Sequence, residues 1–146
     1  MPLSAPKVLI VEDEPLIAMM VEEALEEAGY RSGGMAGSED EALRLAAEDP
    51  PDFAVLDINL ELGGSGLNVG RALAARGVSI LYATGYCPQH SEEMRETGAR
   101  ACLSKPYRPG DVPAALEAIA GLRDGRKPAD LPETLHLFEP GKVPRA

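Results

Sequence analysis

Polar residues able to do chemistry follow directly on four apolar runs of this sequence. Glu12 and Asp13 follow Val8-Leu9-Ile10-Val11, and Asp57 follows Phe53-Ala54-Val55-Leu56. Thr84 follows Ser79-Ile80-Leu81-Tyr82-Ala83, and Lys105 follows Ala101-Cys102-Leu103-Ser104. Carboxylates gathered at neighbouring strand ends repel one another, by roughly 4 kcal/mol per pair at ~4 Å and an effective dielectric of about 20. Glu12, Asp13 and Asp57 together therefore call for a cation. Hard oxygen ligands with room for waters and phosphate favour Mg²⁺ over Zn²⁺. A metal held beside a carboxylate suits phosphoryl transfer, in which catalysis is mainly positioning and charge neutralisation. Asp57 is then the candidate nucleophile, forming an acyl phosphate. The Thr84 hydroxyl and the Lys105 ammonium would serve the remaining phosphoryl oxygens as donors.

Each of these residues also has a plainer reading. Asp or Glu after a strand often serves a turn or an N-cap, Thr84-Gly85 alone is a turn, and Lys105-Pro106 alone is a surface lysine before a break. Their joint placement at the ends of four strands is what separates the two readings.

The elements that must hold these residues are legible in outline. Short continuous apolar runs bounded by turn residues read as strands buried on both faces, as in a parallel sheet. Residues 15–28 read as an amphipathic helix through Ile17, Met20, Val21, Ala24 and Ala28, with Pro15 in its first turn and Gly29 ending it. Residues 31–36 are the weakest strand, with Gly33 and Gly34 inside it. Ser38 and Glu41 form a capping box before Ala42, Leu45 and Ala46. A loop around Gly63-Gly64-Ser65-Gly66 leads to a helix over residues 67–76, and the final helix starts at Asp111 as N-cap and turns Val112, Leu116, Ile119 and Ala120 inward. The loop lacks the Gly-Lys-Ser/Thr that completes a P-loop and reads as flexible. Strict βα alternation implies an α/β fold, a doubly wound (βα)5 flavodoxin-like parallel sheet of five strands with right-handed crossovers. In such sheets chemistry gathers beyond the carboxyl ends of the strands.

At 146 residues the chain suits one domain. Its net charge of −10 argues against direct binding to nucleic acid or anionic membrane. Residues 1–123 carry 20 Asp and Glu against 10 Lys and Arg, whereas residues 124–146 carry four of each, so the acidity belongs to the first part. Cys87 and Cys102 match no metal spacing and suggest no disulfide framework, and Cys102 reads as a small buried filler. With no apolar signal core and no long apolar run, the expected location is the cytoplasm.

Taken together, VLIVEDE, VLDINL, YATGY and LSKPY over residues 7–122 resemble the receiver domain of two-component response regulators. The resemblance implies phospho-acceptance at Asp57 from a histidine kinase or phosphotransfer protein, with Mg²⁺ on Asp13, Asp57 and the Asn59 carbonyl. Glu12 would act on the metal directly or through water. It also implies the strand order 2-1-3-4-5 and a cis Lys105-Pro106 bond. Receivers usually carry a switch aromatic three positions before the lysine, where this chain has Cys102. The Tyr82-Ala83-Thr84-Gly85-Tyr86 run is similar instead to the "FATGY" receiver subgroup, which lacks that switch aromatic, although Ser79 and Ile80 stand where the subgroup carries Pro-Phe. With no aromatic switch at Cys102, the signal is expected to pass through Thr84 and residues 85–97, where Met94 is the lone large apolar anchor.

The expected organisation is a receiver over residues 1–123 and a Pro-rich extension over residues 124–146. The extension's Leu135-His136-Leu137-Phe138 segment is expected to pack on the receiver or on a neighbouring copy. No output domain fits after Leu122, so the leading reading is a single-domain regulator acting on an unidentified effector protein, with a homodimer compatible. A phosphate sink for a shared kinase is one rival. An aspartate-nucleophile phosphohydrolase is another, but Asn59 stands where such enzymes carry a second, proton-transferring Asp.

Overall fold

The computed structural model describes residues 5–60, 63–85, 87–125 and 131–138, the side chains of Pro88, His90 and Arg123 apart. Strands β1 (Lys7–Val11), β2 (Arg31–Ala36), β3 (Phe53–Leu56), β4 (Ser79–Thr84), β5 (Ala101–Ser104) and β6 (Leu135–Leu137) form one sheet. Helices α1 (Pro15–Glu27), α2 (Glu39–Glu48), α3 (Gly66–Ala74), α4 (Cys87–Glu96) and α5 (Asp111–Arg123) cover it. The first five strands are parallel in the expected order 2-1-3-4-5. The sheet is not limited to five strands, however: β6 continues it beyond β5 as an antiparallel edge.

Side chains alternate across a strand, so each central run feeds two cores. Val8, Ile10, Val55, Leu81 and Leu103 pack under α1 and α5. Leu9, Val11, Leu56, Ile80, Tyr82 and Cys102 pack under α2, α3 and α4. This two-sided burial is why the runs are continuously apolar.

Several local details differ from the pattern in the sequence. In α1 the buried residues are Ala18, Val21 and Leu25, with Ile17 partly buried, while Met20 stays exposed. The β1–β2 register slips at Gly33-Gly34, where these two residues of β2 stand opposite the single Leu9 of β1. A Cβ at Gly33 would press on the Val8 carbonyl oxygen at 3.2 Å, so the glycines that weaken the strand pattern are the bulge itself. Ser38 caps α2 by accepting from the Glu41 N–H at 3.2 Å. The Glu41 carboxylate reaches back one residue further than a capping box requires, to the Gly37 N–H at 2.8 Å. Asp111 is not the N-cap of α5, a place Gly110 holds without a side-chain bond. Its carboxylate accepts instead from the Arg108 N–H and the Thr134 hydroxyl.

The tail segment lies on the receiver. Leu135 is buried, Leu137 and Phe138 are partly buried, and the Ser104 N–H donates to the Thr134 carbonyl at 2.8 Å. His136, paired with Cys102 in the register, places Nε2 2.9 Å from Ser104 Oγ.

Candidate functional site

Ladder hydrogen bonds that run one residue past the strands hold the polar residues at the sheet rim. The Glu12 N–H donates to the Ala36 carbonyl and the Asp57 N–H to the Val11 carbonyl, both at 2.9 Å. The Lys105 N–H donates to the Thr84 carbonyl at 3.0 Å. The backbones of Glu12, Asp57 and Lys105 are thereby as fixed as the sheet. The Lys105-Pro106 bond is cis, as the resemblance implies.

Lys105 Nζ lies 2.7 Å from Glu12 Oε1 and 2.9 Å from Asp57 Oδ2, so one ammonium bridges two carboxylates. Glu12, Asp13 and Asp57 each offer an oxygen within 4.8 Å of the others. Burial pushes the Glu12 carboxyl above the ordinary carboxylate range, and Lys105 partly offsets this. Burial also works to lower the Lys105 ammonium, but its bonds to Glu12 and Asp57 outweigh that and raise it above the usual lysine value. Burial lifts the nearby Tyr107 phenol to about 12, so it stays neutral at physiological pH.

Formally, three carboxylates and one ammonium leave two negative charges in a few ångströms. The donors are all oxygen, which fits a hard divalent cation better than a sulfur- or nitrogen-seeking one. Asn59 is exposed, and its N–H reaches Asp57 Oδ1 at 3.3 Å. Thr84 is buried at the end of β4 and lies opposite Ser104 in the register. The structure thus brings Glu12, Asp13, Asp57 and Lys105 into one cluster, with Asn59 bonded to Asp57 and Thr84 bonded through its carbonyl to the Lys105 backbone.

The sequence reading missed two participants. Gly66 is not part of a flexible loop: its N–H donates to the Ile58 carbonyl at 2.9 Å, and a Cβ there would run into the Asp57 carbonyl oxygen. Ser65 caps α3 by accepting from the Leu67 N–H, and its own N–H donates to Glu39 Oε1 at 3.0 Å. The close approach of α3 to the Asp57 backbone therefore requires glycine. The only hint was a third glycine, after Gly63 and Gly64, just before the helical pattern.

The second omission is larger. Cys87 and Cys102 are joined by a disulfide, with Cα atoms 5.9 Å apart. The reading of Cys102 as an isolated filler is overturned. A separation of 15 residues carries no pairing signature, and only the packing of α4 on β5 brings the two together.

Comparison with known proteins agrees with this geometry. The family described as "Response regulator receiver domain" matches residues 8–117. The transcriptional regulatory protein PdtaR of Mycobacterium tuberculosis is 34% identical over 121 residues, covering 81% of this chain and 58% of that protein. The polar-differentiation response regulator DivK of Brucella ovis is 34% identical over 121 residues, covering 77% and 91% respectively. The phyllosphere-induced regulator PhyR of Methylorubrum extorquens is 34% identical over 114 residues, and the match spans only 42% of its length. Among solved structures, the chemotaxis response regulator CheY4 of Vibrio cholerae superimposes with a TM-score of 0.71 at 28% identity, covering 79% of this chain and 98% of that one. With its flavodoxin-like sheet and its acidic cluster at the strand ends, this chain belongs to the response regulator receiver domain family.

Proposed function

We propose that Asp57 accepts a phosphoryl group from a histidine kinase or phosphotransfer protein. The observation that carries this is the Lys105 ammonium held 2.9 Å from Asp57 Oδ2, beside a carboxylate cluster that fits a divalent cation. Asp57 would attack phosphorus, forming a P–O bond as the P–N bond of a phosphohistidine donor breaks. Lys105 would then bond a phosphoryl oxygen in place of the carboxylate, and the Thr84 hydroxyl would meet another. Bound by Glu12, Asp13, Asp57 and the Asn59 carbonyl, Mg²⁺ would supply charge neutralisation for the transferring group.

In this reading residues 1–123 are the receiver and residues 124–146 an extension of it. The protein works in the cytoplasm as a regulator read out by an effector protein, not as a multiple-turnover enzyme. Asn59, which cannot shuttle a proton, stands against repeated phosphoester hydrolysis.

The test is intact-mass analysis after incubation with acetyl phosphate and Mg²⁺. One stoichiometric adduct is expected on the wild type and none on Asp57→Asn; an adduct on the variant removes Asp57 from the role. Thr84→Ala should keep the adduct and lose the conformational response to it.

A further inference from the structure

The disulfide joins the start of α4, which follows the strand that ends at Thr84, to the strand that leads to Lys105. Cys87 opens α4, three residues after Thr84, and Cys102 lies within β5, three residues before Lys105. Strands β4 and β5 are already paired at Tyr82–Cys102 and Thr84–Ser104. The bond therefore adds little to strand pairing. What it adds is a tether on the first turn of α4.

Among the described side chains of that turn, Cys87 is buried and Gln89 is exposed. The other buried anchors of the segment fall later: Met94, and Thr97, whose hydroxyl meets the Tyr82 phenol at 2.8 Å. Gln89, Glu92 and Glu93 are exposed. A helix with few buried apolar side chains opens locally at low cost. Without the bond, the amino-terminal half of α4 is expected to open more readily.

We propose that Cys87 and Cys102 form a reversible thiol–disulfide site whose substrate is a dithiol reductant, and that the oxidised bond locks the α4 end that must move when Asp57 is phosphorylated. The second clause rests on the phosphoacceptor reading above. In a reducing compartment a protein disulfide is usually transient and redox-sensing, which suits the cytoplasmic setting already proposed. Both sulfurs are buried, so exchange proceeds through local opening of α4. A thiolate of the reductant attacks Cys87 Sγ, the Cys87–Cys102 bond breaks, and Cys102 leaves as a thiolate and takes up a proton. The second thiol of the reductant then breaks the mixed disulfide, and Cys87 leaves and is protonated. Two electrons pass to the protein and the reductant departs as a disulfide. Because coupling between sites is reciprocal, loading Asp57 must ease reduction by the same factor that oxidation impedes loading.

The experiment uses the full chain equilibrated in graded mixtures of reduced and oxidised dithiothreitol. Thiols are counted by maleimide alkylation, and amide exchange is followed across α4. Reversible gain and loss of two thiols is expected, with at least about tenfold faster exchange at residues 87–93 in the reduced form, in Cys102→Ala and in Cys87→Ser. With Mg²⁺ and beryllofluoride as the phosphoryl mimic, the equilibrium constant for reduction should rise at least about fivefold, or about 20 mV, and stay put in Asp57→Asn. Two thiols alkylated in every mixture, or equal exchange across α4 in both redox forms, overturns the proposal. A clear redox difference in exchange on a wild type that takes no phosphoryl group from acetyl phosphate supports the lock and sinks the phosphoacceptor reading instead.

Discussion

Helices α4 and α5 cover the same strand, β5, from opposite faces, yet they are held by different means. α5 buries Val112, Ala115, Leu116, Ala118 and Ile119. Among its described residues α4 buries Met94 and Cys87, with the disulfide at one end and the Thr97–Tyr82 bond just past the other. Fully burying an aliphatic side chain is worth about 1.5–3 kcal/mol, so α5 is secured by a stripe that no single event removes. α4 is secured in part by discrete bonds, one open to a reductant and the other to loss of the phenol proton at high pH. The lesson is that a helix next to a signalling site need not be floppy to be movable. It needs anchors that chemistry can address one at a time.

The largest effect that distinguishes the two helices is expected from core truncation. Leu116→Ala should cost about 3 kcal/mol of global stability, within the usual range for a buried leucine. Met94→Ala removes comparable buried volume, but its damage should surface as accelerated amide exchange confined to α4. Equal loss of global stability, with no local signature for Met94→Ala, would erase the distinction. Urea denaturation paired with hydrogen exchange on both variants decides it.

Alkaline titration comes next. Burial lifts the Tyr82 phenol to about 12, above its ordinary value of 10.0. The fold favours the neutral phenol, so its contribution is complete below pH 10 and is lost as pH rises through about 12. The loss approaches about 3 kcal/mol. Tyr82→Phe should start about 1 kcal/mol below wild type at pH 8, for want of the Thr97 bond. It should then lose less over the alkaline window, so the two stability curves cross. Parallel curves would show that burial does not hold the Tyr82 phenol above its ordinary value.

The smallest expected effect lies away from both helices. At ten times its dissociation constant, Mg²⁺ should stabilise the protein by about 1.4 kcal/mol. Asp13→Asn should abolish most of that gain. Melting curves that coincide in Mg²⁺ and in chelator would remove the cation from the cluster. A gain accompanied by slower α4 exchange would show that the metal side and α4 are coupled before any phosphorylation.

How much of this was legible in the sequence depended on the range of the forces involved. Asp57, Thr84 and Lys105 could be placed because each ends an apolar run, and a buried parallel strand writes itself as such a run. Their convergence on one rim followed from βα alternation. Gly66 could not be assigned, because its role is set by the Asp57 carbonyl approaching from another element. Met20 was placed on the wrong side of α1, since its spacing fits a helical stripe about as well as that of Leu25. Asp111 resembled a cap, yet its carboxylate is shared with Thr134, 23 residues along the chain. The cysteine pair and β6 share that difficulty. Two residues and a three-residue strand have no periodicity to detect, and both exist only once β5 is in place.

The short strand β6 bears on something other than signalling. Left bare, β5 would present the N–H of Ser104 and the carbonyl of Arg100, now bonded to Thr134 and Phe138, to any passing chain. Such an open rim is a template for intermolecular pairing. By laying three residues antiparallel along it, with Pro132 just ahead, the protein closes the rim with its own backbone and moves the exposed edge to a strand too short to recruit another. A chain ended at residue 125 is expected to lose colloidal stability, associating edge to edge as its concentration rises.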